Sequence, residues 1–236
     1  MLKTAMIMAA GKGERLYPLT KDLPKPLLKL GDKPIIEYNL SLLKKHNIKN
    51  VFINACYLSD KMEEYFAKRE NDGLNIHLNI EPEILGTAGG VKNLSSKFSE
   101  TFVVVSGDLL TTINIEDMYK FHKEKNSHFT IGLTEVEDPS HFGIVITDNN
   151  GKIIRFKEKP KNKEEVFSNI INTGVYIIEP YILDFIPENT FFDFSKNLFP
   201  ILLKKNIPFY GYLFKGLWRD LGTISELEKA EKELNN

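Results

Sequence analysis

Short apolar, β-branched runs alternate with amphipathic stretches along the first half of this 236-residue chain, the pattern of βαβ units that feed a parallel sheet. Ala5 to Ala10 reads as a first strand. A helix around Ile35 to Lys45, a strand at Val51 to Asn54, a helix from Ser59 to Lys68, and strands at Asn75 to Ile80 and Phe102 to Ser106 follow. These strands are short and apolar on both faces, as buried parallel strands are. After a helix at Glu116 to Lys125 the pattern changes. Phe129 to Val136, Gly143 to Thr147 and Lys152 to Lys157 are strand-like, and Asp148-Asn149-Asn150-Gly151 is a turn signal between two of them, which predicts an antiparallel or mixed extension. Asn169 to Ile178 reads as one more strand, followed by helices near Tyr181 to Ile186 and Phe194 to Lys205, a strand at Phe209 to Leu213 and a helix from Thr223. The class expected is α/β with a mixed, mostly parallel central sheet.

With 42% hydrophobic and 27% charged residues the composition is that of an ordinary globular protein, large enough to hold a core without disulfides or a structural metal. There is no internal repeat, low-complexity segment or break in composition, so residues 1–236 are expected to form a single domain. Lys and Arg number 31 against 32 Asp and Glu, which leaves no global basic field to draw the chain to nucleic acid or an anionic membrane. No apolar run approaches a transmembrane span, and the one at the start breaks at Gly11-Lys12-Gly13 before reaching the length of a signal-peptide core. A single cysteine, Cys56 in an apolar stretch, favours a structural thiol in a reducing compartment. A cytoplasmic location is expected. The 5 histidines show no zinc-ligand spacing, and the aromatics Phe191, Phe192, Phe194 and Phe199, with apolar neighbours at helical spacing, are expected in the core.

Chemistry starts at the loop after the first strand. Gly11-Lys12-Gly13-Glu14-Arg15 follows an apolar strand, where glycines let backbone N–H groups approach an anion. The dinucleotide fingerprint is not met, because Leu16 stands where a third glycine belongs and Pro18, Pro24 and Pro26 would break the helix it needs. The prolines on each side of Lys25 are expected to hold it extended, with its ammonium over the loop. Arg15 offers a two-pronged contact to phosphate oxygens. By themselves these are also what surface charges beside a proline-shaped loop look like.

The longer run Ala9-Ala10-Gly11-Lys12-Gly13-Glu14-Arg15-Leu16-Tyr17-Pro18-Leu19-Thr20, then Pro24-Lys25-Pro26-Leu27, resembles the signature of sugar-1-phosphate nucleotidyltransferases, which reads G-x-G-x-R-L-x-P-L-T followed by P-K-P-L. Further matches come in order. Leu85-Gly86-Thr87-Ala88-Gly89 resembles the segment that lies along base and ribose, although alone it also reads as a glycine-containing helix entry capped by Thr87. Ser106-Gly107-Asp108 resembles the metal-binding G-D, and Trp218-Arg219-Asp220-Leu221-Gly222-Thr223 the W-x-D-x-G-T that completes that site. Asp108 and Asp220 taken separately would be turn or cap aspartates. Phe156-Lys157-Glu158-Lys159-Pro160 resembles F-x-E-K-P, Asn172-Thr173-Gly174 resembles N-[AT]-G, and His141-Phe142-Gly143 resembles [KR]-[FY]-G with histidine in place of the usual base. Lys159, like Lys25, precedes a proline and is expected to be extended.

The resemblance implies a Rossmann-like three-layer αβα nucleotidyltransferase fold, with a nucleotide-binding half (1–115), a half for sugar phosphate (116–236) and no hexapeptide β-helix after it. It implies transfer of a nucleotidyl group from a nucleoside triphosphate to a sugar 1-phosphate, with Arg15, Lys25, Asp108, Lys159 and Asp220 catalytic. Ala10, Gly11, Gly13, Glu81, Gly86 and Thr87 would bind nucleotide; Gly143, Glu158, Lys159, Asn172 and Thr173 would bind sugar phosphate; Asp108 and Asp220 would hold Mg²⁺, a cation that prefers oxygen ligands. Glu81 falls where the family contacts the base edge, and an ionised carboxylate only accepts hydrogen bonds, which favours guanine with its adjacent N–H donors. The run as a whole looks most like mannose-1-phosphate guanylyltransferases. The alternatives are a uridylyl-, thymidylyl- or cytidylyltransferase for another phosphorylated sugar or alcohol, and a catalytically silent nucleotide-sugar sensor. Whether the chain forms a homo-oligomer is open.

Overall fold

The apolar positions of the first strands are buried: Ala5, Met6, Ile7, Val51, Ile53 and Ala55 have no exposed surface. In the computed structural model, which describes residues 1–234, Thr4–Met8 pairs in parallel with Asn50–Ala55, and Asn50–Ala55 pairs in parallel with Asn75–Ile80. The first strand ends at Met8, short of the expected Ala10, because the N–H of Ala9 is taken by the side chain of Asn54. Helix Ile35–Lys45 forms where expected and buries Ile35, Ile36, Leu40 and Leu43, one apolar stripe at three- and four-residue spacing. Glu37 lies in its first turn and Lys44 and Lys45 in its last, the placement that suits the helix dipole.

The chain divides into two interleaved compact units: Met1–Ile84 with Val105–Thr112 and the chain from Gly216, and Leu85–Val104 with Ile113–Lys215. The boundaries of these compact units differ from residue 115, where the expected nucleotide-binding and sugar-phosphate halves meet. Leu85–Val104 belongs with the later unit, and the chain from Gly216 returns to the first because Trp218–Asp220 pairs antiparallel with Leu109–Thr111. A cluster of Leu16, Leu28, Leu30, Ile35, Leu110, Leu221, Leu227 and Ala230 packs the signature loop, the segment after Asp108 and helix Ile224–Leu234 into one apolar body.

In the second unit Ile170–Ile178 pairs antiparallel with both Phe129–Glu135 and Gly143–Thr147, and Gly143–Thr147 pairs antiparallel with Ile153–Glu158. Phe209–Leu213 adds to Phe129–Glu135 in parallel. The turn predicted at Asp148–Gly151 forms, with Gly151 at φ 84° and the Asp148 carboxylate accepting from the N–H groups of Asn150 and Lys152. Phe129, Phe194, Phe199 and Phe209 are fully buried, and Phe129 sits 5.4–5.6 Å, ring centre to ring centre, from the other three. Phe191, expected in the core, is instead 60% exposed. Phe192 is half-buried and contributes its carbonyl, which accepts from the N–H groups of Ala88 and Gly89. Among the described residues no helix is long and apolar enough to cross a membrane.

His122 is fully buried in this unit, its ring nitrogens bonded to Thr130 Oγ1 at 2.7 Å and Glu179 Oε1 at 3.2 Å. Burial pushes its pKa down from 6.5 to about 4, against the pull of Glu179. A histidine held neutral stabilises the fold fully above its unfolded pKa, and that contribution disappears as pH falls through the folded value. Stability from this group should therefore fall by about 3 kcal/mol between pH 6.5 and pH 4. Urea unfolding across that range checks it, and His122→Gln should flatten the profile there. Glu179, which burial opposes but bonds from Lys123, Thr101 and His122 hold below its usual 4.5, acts at lower pH.

Candidate active site

The residues singled out by the sequence fall into two groups, each inside one unit. In the first, the glycine loop runs on from the buried Ala9 and Ala10. Gly13 is required by the chain itself: its φ is 66°, and a Cβ there would lie 3.0 Å from Thr20 and 3.1 Å from Lys25. Gly11 is different, since a Cβ on it would meet nothing within 4 Å. Arg15 begins no long helix; it sits in a single 3-10 turn, Glu14–Leu16, anchored by the buried Leu16. Its guanidinium is mostly exposed, with Nη2 3.9 Å from Asp220 Oδ2.

Lys25 is not extended, contrary to expectation. It opens a 3-10 turn, Lys25–Leu27, after an extended Pro24, because a proline in the first turn of a helix lacks only an N–H that has no partner there. The turn buries the lysine stem and brings Nζ 2.5 Å from Asp108 Oδ2. Burial works against the charge on Asp108, but the Lys25 ammonium, its hydrogen bond and the more distant Arg15 hold the carboxyl below the usual range. Gly107, just before it, donates its N–H to Met8 O at 2.9 Å. A Cβ on Gly107 would stand 2.8 Å from that oxygen, so only glycine allows this approach.

Asp220 reaches the same place through the ladder. It stands opposite Leu109, and Leu221 donates its N–H to Asp108 O at 2.9 Å. The two aspartates, 112 positions apart in sequence, thus lie on adjoining rungs with Lys25 and Arg15 beside them. Gly222 completes the arrangement: a Cβ there would lie 2.5 Å from Arg15 Nη2 and 2.7 Å from Asp220 Oδ1. Glu81 is 2% exposed, and one of its oxygens accepts from Asn54 Nδ2 at 2.6 Å.

In the second unit, Lys159 also departs from extended geometry. Its φ is 42°, and its N–H donates to Phe142 O at 3.0 Å; that bond continues the pairing of Glu158 with Gly143 by one step and overrides the bias imposed by Pro160. Glu158 lies opposite Gly143 on the neighbouring strand. Burial pushes its carboxyl up, with Lys159 opposing. A Cβ on Gly143 would meet the Phe156 ring at 2.6 Å and Glu158 Oε2 at 2.8 Å, so this glycine makes room for the protein's own side chains. Asn172 spans a register break in strand Ile170–Ile178, accepting from Gly174 N and donating to Tyr176 Oη, both at 3.0 Å. Thr173, expected to bind the sugar phosphate, is 1% exposed and donates to Gly132 O at 2.7 Å. It is a core residue, since strand alternation turns it away from the face of Asn172.

Gly86 and Thr87 open helix Gly86–Asn93, the helix entry that the segment read alone suggests. Gly86 has φ 76° and would place a Cβ 2.8 Å from Phe192 O; on Gly89 it would be 2.6 Å from Thr190 O. These glycines admit the chain's own segment 190–193. Both the N–H and the hydroxyl of Thr87 donate to Asp193 Oδ1 at 3.2 Å. Asn54, Asp193 and Gly222 are parts of these groups that the sequence does not single out. The visible signal was an amide inside an apolar strand for Asn54, and for Gly222 its place in a motif read only for its aspartate.

A family model described as nucleotidyl transferase matches residues 4–236. The chain belongs to that family. It is 38% identical to a UTP–glucose-1-phosphate uridylyltransferase of Synechocystis over 96% of its own length and 62% of the relative's. It is 37% identical to mannose-1-phosphate guanyltransferase beta-B of Xenopus laevis over 92% of this chain and 61% of that one. The chain thus spans about three fifths of the length of these relatives. A solved structure of UDP-glucose pyrophosphorylase complexed with UDP-glucose superposes with a TM-score of 0.86 at 22% identity, covering 100% of this chain and 99% of that one. The expected Rossmann-like αβα nucleotidyltransferase fold with a mixed central sheet is therefore the fold of this chain.

The packing at Gly222 is open to a direct test. Gly222→Ala should displace the Arg15 guanidinium and leave the ladder intact. The expected result is a thermal midpoint close to wild type, measured by calorimetry, with the Arg15 guanidinium moved away from Asp220 in a crystal structure of the variant.

Proposed function

We propose that this chain transfers a nucleotidyl group from a nucleoside triphosphate to a sugar 1-phosphate, with GTP and mannose 1-phosphate as the preferred pair. The observation that carries this reading is the half-buried Lys25–Asp108 pair, set on adjoining rungs with Asp220 and close to Arg15. A buried ion pair is a poor device for stability alone, and here it stands in a chain of the nucleotidyl transferase family.

In the reaction an oxygen of the sugar 1-phosphate attacks the α-phosphorus. A new P–O bond forms, the bond to the bridging α–β oxygen breaks, and its electron pair leaves with pyrophosphate. Such a step requires positioning and charge neutralisation more than a covalent nucleophile. The N–H groups of the Gly11–Gly13 loop and Arg15 hold the triphosphate. The open space over Gly11 is what a phosphate approaching the backbone needs. Lys25 neutralises charge gathering at the α-phosphate, Lys159 anchors the attacking phosphate, and Glu158 and Asn172 take sugar hydroxyls.

Asp108 and Asp220 offer an all-oxygen donor set, with one Asp108 oxygen already engaged by Lys25. That set fits Mg²⁺ completed by phosphate oxygens and water. The cation would supply charge neutralisation of the triphosphate. Asp108→Asn should lower kcat by about 100-fold or more and leave the circular dichroism spectrum unchanged; full activity would overturn the metal assignment.

The preference for GTP rests on Glu81 as a hydrogen-bond acceptor for guanine N–H groups. A second reading, UTP with glucose 1-phosphate, is favoured by the similarity to the Synechocystis uridylyltransferase. Pyrophosphate release with Mg²⁺ across GTP, UTP, dTTP, CTP and ATP against mannose, glucose and N-acetylhexosamine 1-phosphates separates them. Turnover confined to GTP with mannose 1-phosphate is the expected result. Another active pair keeps the mechanism and overturns the use of Glu81; a folded protein silent throughout points to a nucleotide-sugar sensor.

A further inference from the structure

Asn54 occupies the last rung of the ladder between Thr4–Met8 and Asn50–Ala55, opposite Met8. It is 2% exposed, in a strand otherwise rich in apolar residues. A buried amide is costly unless both ends are bonded, and here both are. Oδ1 accepts from the N–H of Ala9 at 2.8 Å, and Nδ2 donates to Glu81 Oε1 at 2.6 Å. The two bonds fix which way the amide faces, since reversing it would set a donor against Ala9 N–H and an oxygen against the carboxylate. Glu81 is held beside it by the backbone, its N–H donating to Ala55 O at 2.8 Å. One buried side chain therefore joins the residue that leads into the glycine loop to the carboxylate beyond the neighbouring strand.

We propose that Asn54 is a positioning residue for nucleotide selection, which holds the Glu81 carboxylate in one orientation and ties it to the backbone that grips the triphosphate. The inference rests on the reading of Glu81 and the glycine loop under Proposed function. Base choice then depends on a group that touches no substrate. The bond from Asn54 Nδ2 restrains the Glu81 carboxylate at one oxygen, and the bond from Ala9 N–H keeps that restraint in register with the loop.

Asn54→Asp separates this role from that of a plain ladder cap. The variant keeps the acceptor for Ala9 N–H and nearly the same volume, but faces Glu81 with a second carboxylate, so the two must repel or share a proton. The expected result is a fall of about tenfold or more in the ratio of kcat/KM between the preferred nucleotide and its nearest competitor. KM for nucleoside triphosphate should rise and KM for sugar 1-phosphate stay within about twofold. Asn54→Ser, which retains a hydroxyl and loses the bridge to Glu81, is the second variant should Asn54→Asp fail to fold. A purely structural role predicts a lower thermal midpoint with an unchanged nucleotide ratio. A folded variant with that wild-type ratio, or with both KM values raised equally, overturns the proposal. A wild-type protein that turns over no substrate pair instead overturns the proposed function and this inference with it, an outcome distinct from an active wild type whose variants keep its ratio.

Discussion

Three residues of antiparallel pairing, Trp218–Asp220 against Leu109–Thr111, organise the first unit and its candidate site. That ladder brings the chain from Gly216 back to the unit in which it started, and it sets Asp220 beside Asp108. So short a pairing could not hold by its backbone bonds alone. Its support is apolar: Leu110 and Leu221 pack with Leu16, Leu28 and Ile35, and helix Ile224–Leu234 adds Leu227 and Ala230. The same cluster anchors the 3-10 turn that carries Arg15, so the two charged aspartates and the arginine are placed by one set of buried leucines.

Electrostatics in this unit runs against the solvation of its members. Asp108 is partly withdrawn from water, which disfavours its charge, yet the Lys25 ammonium at 2.5 Å more than compensates. A hydrophobic pair of the same shape would serve stability as well or better. The second unit shows the opposite balance at Glu158, where burial prevails and pushes the carboxyl up despite Lys159. Both balances also occur away from the family signature, the first at Glu179 and the second at His122, so position in the fold and not the shift alone marks the site.

Glycine has three separate meanings in these motifs. Gly13 and Gly86 adopt positive φ, Gly107 and Gly143 make way for a carbonyl and for neighbouring side chains, and Gly11 borders open space. A motif written as a string of letters treats these alike. The same holds for the lysines before Pro26 and Pro160: the local bias of an X-Pro dipeptide is toward extended backbone, and it is overridden by a 3-10 turn at Lys25 and by a bond to the paired strand at Lys159.

The sequence by itself determined the α/β class, the positions of helices Ile35–Lys45 and Ser59–Lys68 and of strands Asn75–Ile80, Phe102–Ser106 and Gly143–Thr147, and the family. These follow from periodicity and from short motifs, which are local properties of the chain. The tertiary structure alone decided that Asp108 and Asp220 lie on adjoining rungs, that Thr173 turns into the core, that Phe191 faces solvent, and that Asn54 binds Glu81. It also decided that Leu85–Val104 belongs with the later unit. Each of these depends on which residues distant in sequence compete for the same hydrogen-bond donor or the same buried volume, and that competition is settled only when the chain is packed.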